Sequence, residues 1–524
     1  MAIILACTAM AYAGAWCETP PYALYSPNEQ QDGRFGWSIA PVDTAVVGMA
    51  GIVVGAPYEE SDGVAEAGMA YCFRAADGLL QSELRSDAPQ VRGRFGFAAA
   101  SIGDIDGDGE TDLAVGAPGE NSGDYPAAGQ AYLISGAFGT SIRNLDSPGA
   151  EPAGYFGWSL LALADITGDG IGDIAVGAPG ETPAPSRCNV GRVYLFSGAT
   201  GECCGALDAP VSLADGRFGA VMAGLRAADG SPLIAFGLPT AGDSSSGEVF
   251  IMGVTGQVIQ CLVPPSPAAG ARFGSALAPC HDIDGDGFPD LLIGAPGSSD
   301  RGRAYAFSGA AGILLTEFSP PPDVGGFYGR SVAPAGDIDG DGCAEIAVGY
   351  LVDAPGEGWR GGVHVARTGG EHVRALTAPE ASGSSFGWSL AALGDPGGDG
   401  QDDLAIGAYG AAGSAGFHEA GCLFVLSPQS APYRPQPRVV RLLGPWPNPA
   451  RDVARILVQG SHGDEIRVTL RDAAGRAAPA SACRVEGKGD DYELRLSPTL
   501  PSGLYWLCAS SGRCVTTKPL LVIR

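Results

Sequence analysis

Residues 104–112 read DIDGDGETD, with Asp104, Asp106, Asp108 and Asp112 at positions 1, 3, 5 and 9 and Glu110 offering a backbone carbonyl at position 7. Four carboxylates this close repel one another unless a cation sits among them. Hard oxygen donors at alternate positions of a glycine-kinked loop suit Ca²⁺ better than Mg²⁺, which demands a rigid octahedron and keeps its waters. The frame recurs at Asp282, Asp284, Asp286 and Asp290 with Phe288 at position 7, and at Asp337, Asp339, Asp341 and Glu345 with Cys343 there. A further copy has Asp165, Thr167, Asp169 and Asp173 around Ile171. The weakest has Asp395, Asp399 and Asp403 around Gln401, with Gly397 at position 3 and Pro396 inside the loop. An EF-hand needs a bidentate Glu at about position 12 and a following helix. Val115 stands there, inside a β-type apolar run, so that motif is rejected. About five Ca²⁺ sites are expected. The competing reading is a set of metal-free Asp-Gly turns, and five aligned copies argue against it.

Other chemistry finds little support. GSSFG at 383–387 fits a nucleophile-elbow spacing, but no strand-to-helix context surrounds it. GDGIG at 168–172 lies inside a carboxylate loop and is no phosphate cradle. The chain has five histidines, none paired at metal-ligand spacing, and no CxxC pair that would hold zinc. No catalytic residue or organic cofactor is expected, and the chain is read as a non-enzyme.

The loops need a scaffold, and its period is visible. A Phe-Gly or Tyr-Gly pair recurs at Phe35, Phe95, Phe156, Phe218, Phe273, Tyr328 and Phe386. After each comes an apolar run such as LAVGAP (113–118), IAVGAP (174–179) or LLIGAP (291–296), and each carboxylate loop lies between pair and run. A third segment, as in GQAYLISG (129–136), and a fourth, as in SIRNLDSP (141–148), complete the repeat. Two repeats lack the ligand set: VDTAVVGMAG (42–51) and RAADGSP (226–232). Four short strands repeated seven times, with Gly and Pro turns, predict an all-β fold, a seven-bladed β-propeller. The apolar runs are expected as inner strands covered on both faces. The seventh repeat has no fourth strand after GCLFVLS (421–427), so YALYSP (22–27) is expected to supply it and close the ring.

The Phe-Gly and Gly-Ala-Pro pattern resembles FG-GAP repeats, as in the propeller of integrin α-subunits and many bacterial surface proteins, over about residues 22–427. The resemblance implies that the five loops are calcium loops, matching position by position, and that the protein acts in adhesion or ligand binding at a cell surface or in secreted form. Fold implies function only loosely, and variable surface loops would choose the ligand, an extracellular protein or glycan. A structural subunit of an extracellular assembly, self-associating, and an extracellular hydrolase with an unrecognised site remain as alternatives.

Charge and composition agree with this picture. With 82 Gly and 40 Pro in 524 residues and 17% charged side chains, turns and short strands are favoured. Net charge is −27; residues from 431 onward carry +6, leaving −33 on residues 1–430, which argues against nucleic acid as a partner. No apolar run reaches the length of a transmembrane span. Residues 1–13 read as a signal peptide ending at Ala11-Tyr12-Ala13, without the usual basic start and so truncated or misplaced at its beginning. The propeller is assigned to 14–427, a Pro-rich linker to 428–443 and a small β-sandwich to 444–524. Export makes disulfides plausible, with Cys508–Cys514 the best-placed pair and Cys188 with Cys203 or Cys204 next; buried free thiols are as good a reading of the rest. Pro447-Asn448-Pro449, LRDAAGR (470–476), SGLYWL (502–507) and TTKPLLVIR (516–524) resemble the immunoglobulin-like sorting domain of Por-type (type IX) secretion, which implies secretion machinery as a partner; a plain spacer domain is the alternative.

Overall fold

The computed structural model describes residues 22–427, apart from short loops at 43–50, 183–188, 212–214, 323–325, 355–357 and 379–384 and single residues 300, 397, 399 and 415; beyond 440 it describes strands alone. The expected signal peptide, most of the first carboxylate-poor loop, Gly397, Asp399, Cys188, residues 428–440 and Pro447-Asn448-Pro449 lie outside the described residues. The chain divides into two compact units, Met1–Pro432 and Tyr433–Arg524.

The first unit is built from seven four-stranded antiparallel sheets. In blade 2 the strands are Ala98–Gly103, Asp112–Ala117, Gln130–Ile134 and Ser141–Asp146, each hydrogen-bonded to the next. The GAP-type run forms the second strand and is buried along its whole length, because it has neighbours on both edges and adjoining blades on both faces. That is why it is continuously apolar instead of alternating. It is not the strand nearest the axis. That place belongs to the strand directly after each Phe-Gly pair, since these first strands run alongside one another around the whole ring.

The repeat's two signatures are two halves of one contact. The Phe of each pair is fully buried; Phe156 packs with Leu133 and Leu145 of blade 2 and with Val176, Tyr194 and Phe196 of blade 3. The glycine after it has φ +84° at Gly157, and its carbonyl presses on Gly116 of the preceding blade, where an added Cβ would lie 1.9 Å from that oxygen. A side chain at Gly116 would push two blades apart, which explains the Gly of the GAP run. Phe and Gly thus serve as wedge and close contact at successive blade boundaries.

The N-terminal strand closes the ring as expected. Tyr22–Tyr25 pairs antiparallel with Cys422–Leu426, placing Leu24 opposite Leu423, and completes blade 7 with Leu390–Gly394 and Asp403–Ala408. Leu24 is buried with Phe35, Tyr71 and Phe73 of blade 1.

Blade 6 departs from the pattern. Its second and third strands, Glu345–Ala354 and Gly358–Arg367, are ten residues each, a longer hairpin than in the other blades. Tyr328 replaces the repeat's Phe, and its buried hydroxyl meets His364 Nδ1 at 2.7 Å, while His364 Nε2 meets His372 Nδ1 at 2.9 Å. A polar atom placed in an apolar wedge position is thereby satisfied.

The second unit holds two antiparallel sheets. One has four strands, ordered Arg441–Trp446, Val453–Gln459, Asp491–Leu496, Cys483–Lys488; the other has Arg467–Asp472, Gly503–Ser511, Cys514–Val522. Pairing of Cys508 with Thr517, and of Cys514 with Ser511, sets the two cysteines three positions out of register, against the expected cross-hairpin disulfide. Cys203 and Cys204 carry free thiols, and the expected partner Cys188 lies outside the described residues.

Candidate metal centres

Each carboxylate loop joins the first and second strands of a blade and therefore opens on one face of the ring, opposite the Phe-Gly turns. Its shape comes from the backbone. In blade 2, Asp104 accepts the amides of Gly107 (2.7 Å) and Gly109 (2.9 Å), Asp106 that of Asp108 (3.1 Å), and Asp108 that of Glu110 (2.8 Å). Gly107 and Gly109 have φ of +82° and +92°, conformations that let the amides turn inward. Asp112 is fully buried; it accepts the amides of Ile105 (2.8 Å) and Asp106 (3.3 Å) and, with its other oxygen, that of Gly136 beyond the third strand (2.9 Å).

Blades 3 and 5 repeat this. Asp165 accepts Gly168 and Gly170, Asp169 accepts Ile171, and Asp173 accepts Ile166, Thr167 and Gly198. Asp282 accepts Gly285 and Gly287, Asp286 accepts Phe288, and Asp290 accepts Ile283 and Gly309. The loop amides hold the carboxyl pKa of Asp165 and Asp282 below the usual carboxylate range, whereas burial pushes that of Asp112 and Asp290 up.

Carboxylate oxygens converge within 4.8 Å in three loops: Asp104, Asp106 and Asp108; Asp282, Asp284 and Asp290; and Asp337, Asp339 and Glu345. In blade 3 the Thr at position 3 brings its hydroxyl 3.3 Å from Asp165 instead. In blade 7, Asp395 accepts the Gly400 amide at 2.8 Å and Asp403 is buried, but Asp399 is outside the described residues, so the set is incomplete there. The blade-4 loop, without the frame, is a plain turn in which Asp229 accepts its own neighbour Ser231. Glu110, Ile171, Phe288 and Cys343 tie their amides to position 5, and Gln401 stands in the equivalent place of blade 7.

Each of these loops faces a set residue on the third strand. One residue beyond the paired positions Leu113–Ile134, Ile174–Phe196 and Leu291–Phe307, the same register sets Ser135, Ser197 and Ser308 across from Asp112, Asp173 and Asp290, and their hydroxyls approach Asp108, Asp169 and Asp286 at 3.5, 3.2 and 3.4 Å. In blade 6 the residue opposite Glu345 is Arg367.

Two features were missed from sequence. In blades 1, 2, 3 and 7 the residue after the Phe-Gly pair is aromatic and builds a cluster on the opposite face: Trp37 lies 5.0 Å from Trp388, 5.2 Å from Tyr409 and 5.5 Å from Phe97, and Phe97 lies 4.5 Å from Trp158. Arg330 stacks on Trp388 at 4.0 Å and Arg34 on Tyr58 at 4.4 Å. The signal was present as FGW and FGF triplets. Secondly, Glu59, Glu120 and Glu181, two residues after their GAP-type prolines, are buried against Tyr71, Tyr132 and Tyr194. Burial pushes the Glu120 carboxyl up to about 7. They sit one per blade and do not converge. Ser385 of GSSFG is buried in the seventh Phe-Gly turn, with φ +45°, like Arg34 and Arg94 in theirs.

Comparison with known proteins follows the same lines. The FG-GAP repeat model matches residues 95–134, 156–196 and 273–307, in blades 2, 3 and 5. The chain is 35% identical to human integrin alpha-IIb over 250 residues, covering 44% of this chain and 23% of that protein. It is 33% identical to Xenopus laevis integrin alpha-5 over 247 residues, 43% of this chain and 22% of the other. Human integrin alpha-E matches at 36% over 165 residues, 29% of this chain and 14% of the other. The matched region thus spans less than a quarter of each relative's length. The chain carries FG-GAP repeats, folds them as a seven-bladed β-propeller, and is similar over part of its length to integrin alpha chains.

Proposed function

We infer that this protein is a secreted or cell-surface, non-catalytic propeller that binds an extracellular protein or glycan, with Ca²⁺ holding the loops of its blades. The observation that carries the metal reading is the state of loops 2 and 5. Their carboxylates converge within 4.8 Å, yet none forms an ion pair with a basic side chain among the described residues. Such a set fits a hard divalent cation, with Asp104, Asp106, Asp108 and Asp112 in one loop, Asp282, Asp284, Asp286 and Asp290 in the other, and the carbonyls of Glu110 and Phe288 completing them. Asp165, Thr167, Asp169, Asp173 and the Ile171 carbonyl form the third set, and Asp395, Asp399, Asp403 and the Gln401 carbonyl a weaker fourth. The cation's role is structural: it cross-links two strands of a blade at the ring's rim.

The half-exposed aromatic and arginine cluster around Trp37, Trp158 and Trp388 is the surface best suited to a ligand, since aromatic faces and guanidinium groups serve sugar rings and carboxylates alike. Separate burial of Glu59, Glu120 and Glu181 supports a non-catalytic reading, because general acid–base pairs must share one site. The C-terminal unit is assigned to sorting or anchoring at the surface, through secretion machinery. A screen of the full chain against glycan and matrix-protein arrays, with and without chelator, tests the binding reading; Trp37→Ala and Trp388→Ala should lose the hit. Calcium titration by calorimetry tests the metal reading, and absence of any calcium binding at millimolar concentration refutes it.

A further inference from the structure

We propose that the blade-6 loop is not a calcium site: Arg367 takes the place of the ion. Asp337, Asp339, Asp341 and Glu345 match the frame of the other loops in sequence, and this inference rests on the calcium reading of those loops. The difference is the residue opposite position 9. Where blades 2, 3 and 5 present a serine, blade 6 presents Arg367 at the same register.

The guanidinium enters the loop. Arg367 Nη2 bridges the carboxylates of Asp339, at 3.1 Å, and Asp341, and Nε lies 4.0 Å from Glu345. One nitrogen thus stands between positions 3 and 5, the point on which a metal's oxygen ligands would converge. In loops 2 and 5 one position-5 oxygen accepts the position-7 amide and the other meets a serine hydroxyl at 3.5 or 3.4 Å. The two cations exclude each other by space and by charge, since an ion and a guanidinium a few ångströms apart repel. The blade-7 residues against this loop add no positive charge: Asp402 accepts the Asp337 amide at 2.9 Å, and the Gln401 side chain lies beside Gly340.

A fixed cation suits this blade. Its strands continue four residues beyond those of blade 2 on the same second-strand frame, and a covalently attached charge keeps the base of that longer hairpin organised whatever the calcium level. Blade 1 offers a parallel: Arg74 stands at the equivalent register opposite Gly51, where the sequence lacks ligands, and it pairs instead with Asp77.

The test is calcium stoichiometry and melting of the full chain, wild type against R367S, D339N and R367S/D339N. R367S should bind one more calcium per chain than wild type, and adding D339N should remove that ion, while D339N alone leaves the wild-type stoichiometry unchanged. In excess EGTA, R367S should melt below wild type, because the carboxylates lose their counter-charge, and millimolar calcium should restore it. Loss of one calcium in D339N alone, or R367S melting as wild type does in EGTA, overturns the proposal. If wild type binds no calcium at all, the calcium reading of the other loops fails, and the EGTA comparison still decides whether Arg367 neutralises its loop.

Discussion

Leu24→Ala should destabilise the propeller as much as a core truncation in the middle of a blade, although Leu24 lies at the edge of the sequence. The residue is 1% exposed and packs across the boundary of blades 7 and 1. Its register opposite Leu423 makes it the counterpart of Leu145, which stands opposite Ala131 in blade 2 and is 2% exposed. Truncating a buried Leu to Ala costs about 2–5 kcal/mol, transfer and cavity together. With an unfolding entropy of roughly 2 cal/mol/K per residue over about 400 residues, a 3 kcal/mol loss lowers the melting temperature by about 4 °C. The assay is calorimetric melting at fixed millimolar calcium, with Leu145→Ala measured beside it. The two variants should agree within about 1 kcal/mol, since both cavities are walled by two blades. Removing the strand 22–25 altogether should do more, exposing the edge of Cys422–Leu426 and promoting aggregation. A silent Leu24→Ala beside a destabilising Leu145→Ala would refute closure by this strand.

Further outcomes follow from the same geometry. Chelation should lower the melting temperature, each loop contributing about 0.4–1.5 kcal/mol at millimolar calcium; Asp106→Ala and Asp284→Ala should each remove part of that shift and Asp229→Ala none, as read by melting with and without EGTA. Burial raises the Glu120 carboxyl to about 7, so its contribution is fully present below the unfolded value near 4.5 and is lost as pH rises through 7. Glu120→Gln should flatten that part of the pH–stability curve, a difference of up to roughly 3 kcal/mol in urea unfolding at pH 5 and pH 8. Gly116→Ala, whose Cβ would meet the Gly157 carbonyl, should destabilise by several kcal/mol or prevent folding, measured by soluble yield and melting. Tyr328→Phe leaves His364 without its hydroxyl partner and should cost about 1–2 kcal/mol in spite of restoring the repeat's usual residue.

Most of the architecture was legible in the chain because a propeller is a one-dimensional repeat. Period, strand number and loop position are set by local spacing: Phe-Gly pairs mark the blades, GAP-type runs mark the doubly covered strands, and Asp at alternate positions marks the loops. Even ring closure followed from counting, since blade 7 lacked a strand and YALYSP was left over. What local spacing could not show is who stands opposite whom. Arg367 lies 22 residues beyond Glu345 without any motif, and only the pairing of two ten-residue strands sets it into the loop. Trp37 and Trp388 are far apart in sequence and meet because the ring closes between them. His364 and His372 share no metal-like spacing, yet a hairpin stacks them beneath Tyr328. Cys508 and Cys514 look like a bridge by spacing and are three positions out of register in the hairpin. The physical reason is common to all four. Hydrophobic period and turn residues act within a few residues, whereas charge neutralisation, stacking and cross-strand pairing depend on distances that exist only after the strands have found their register.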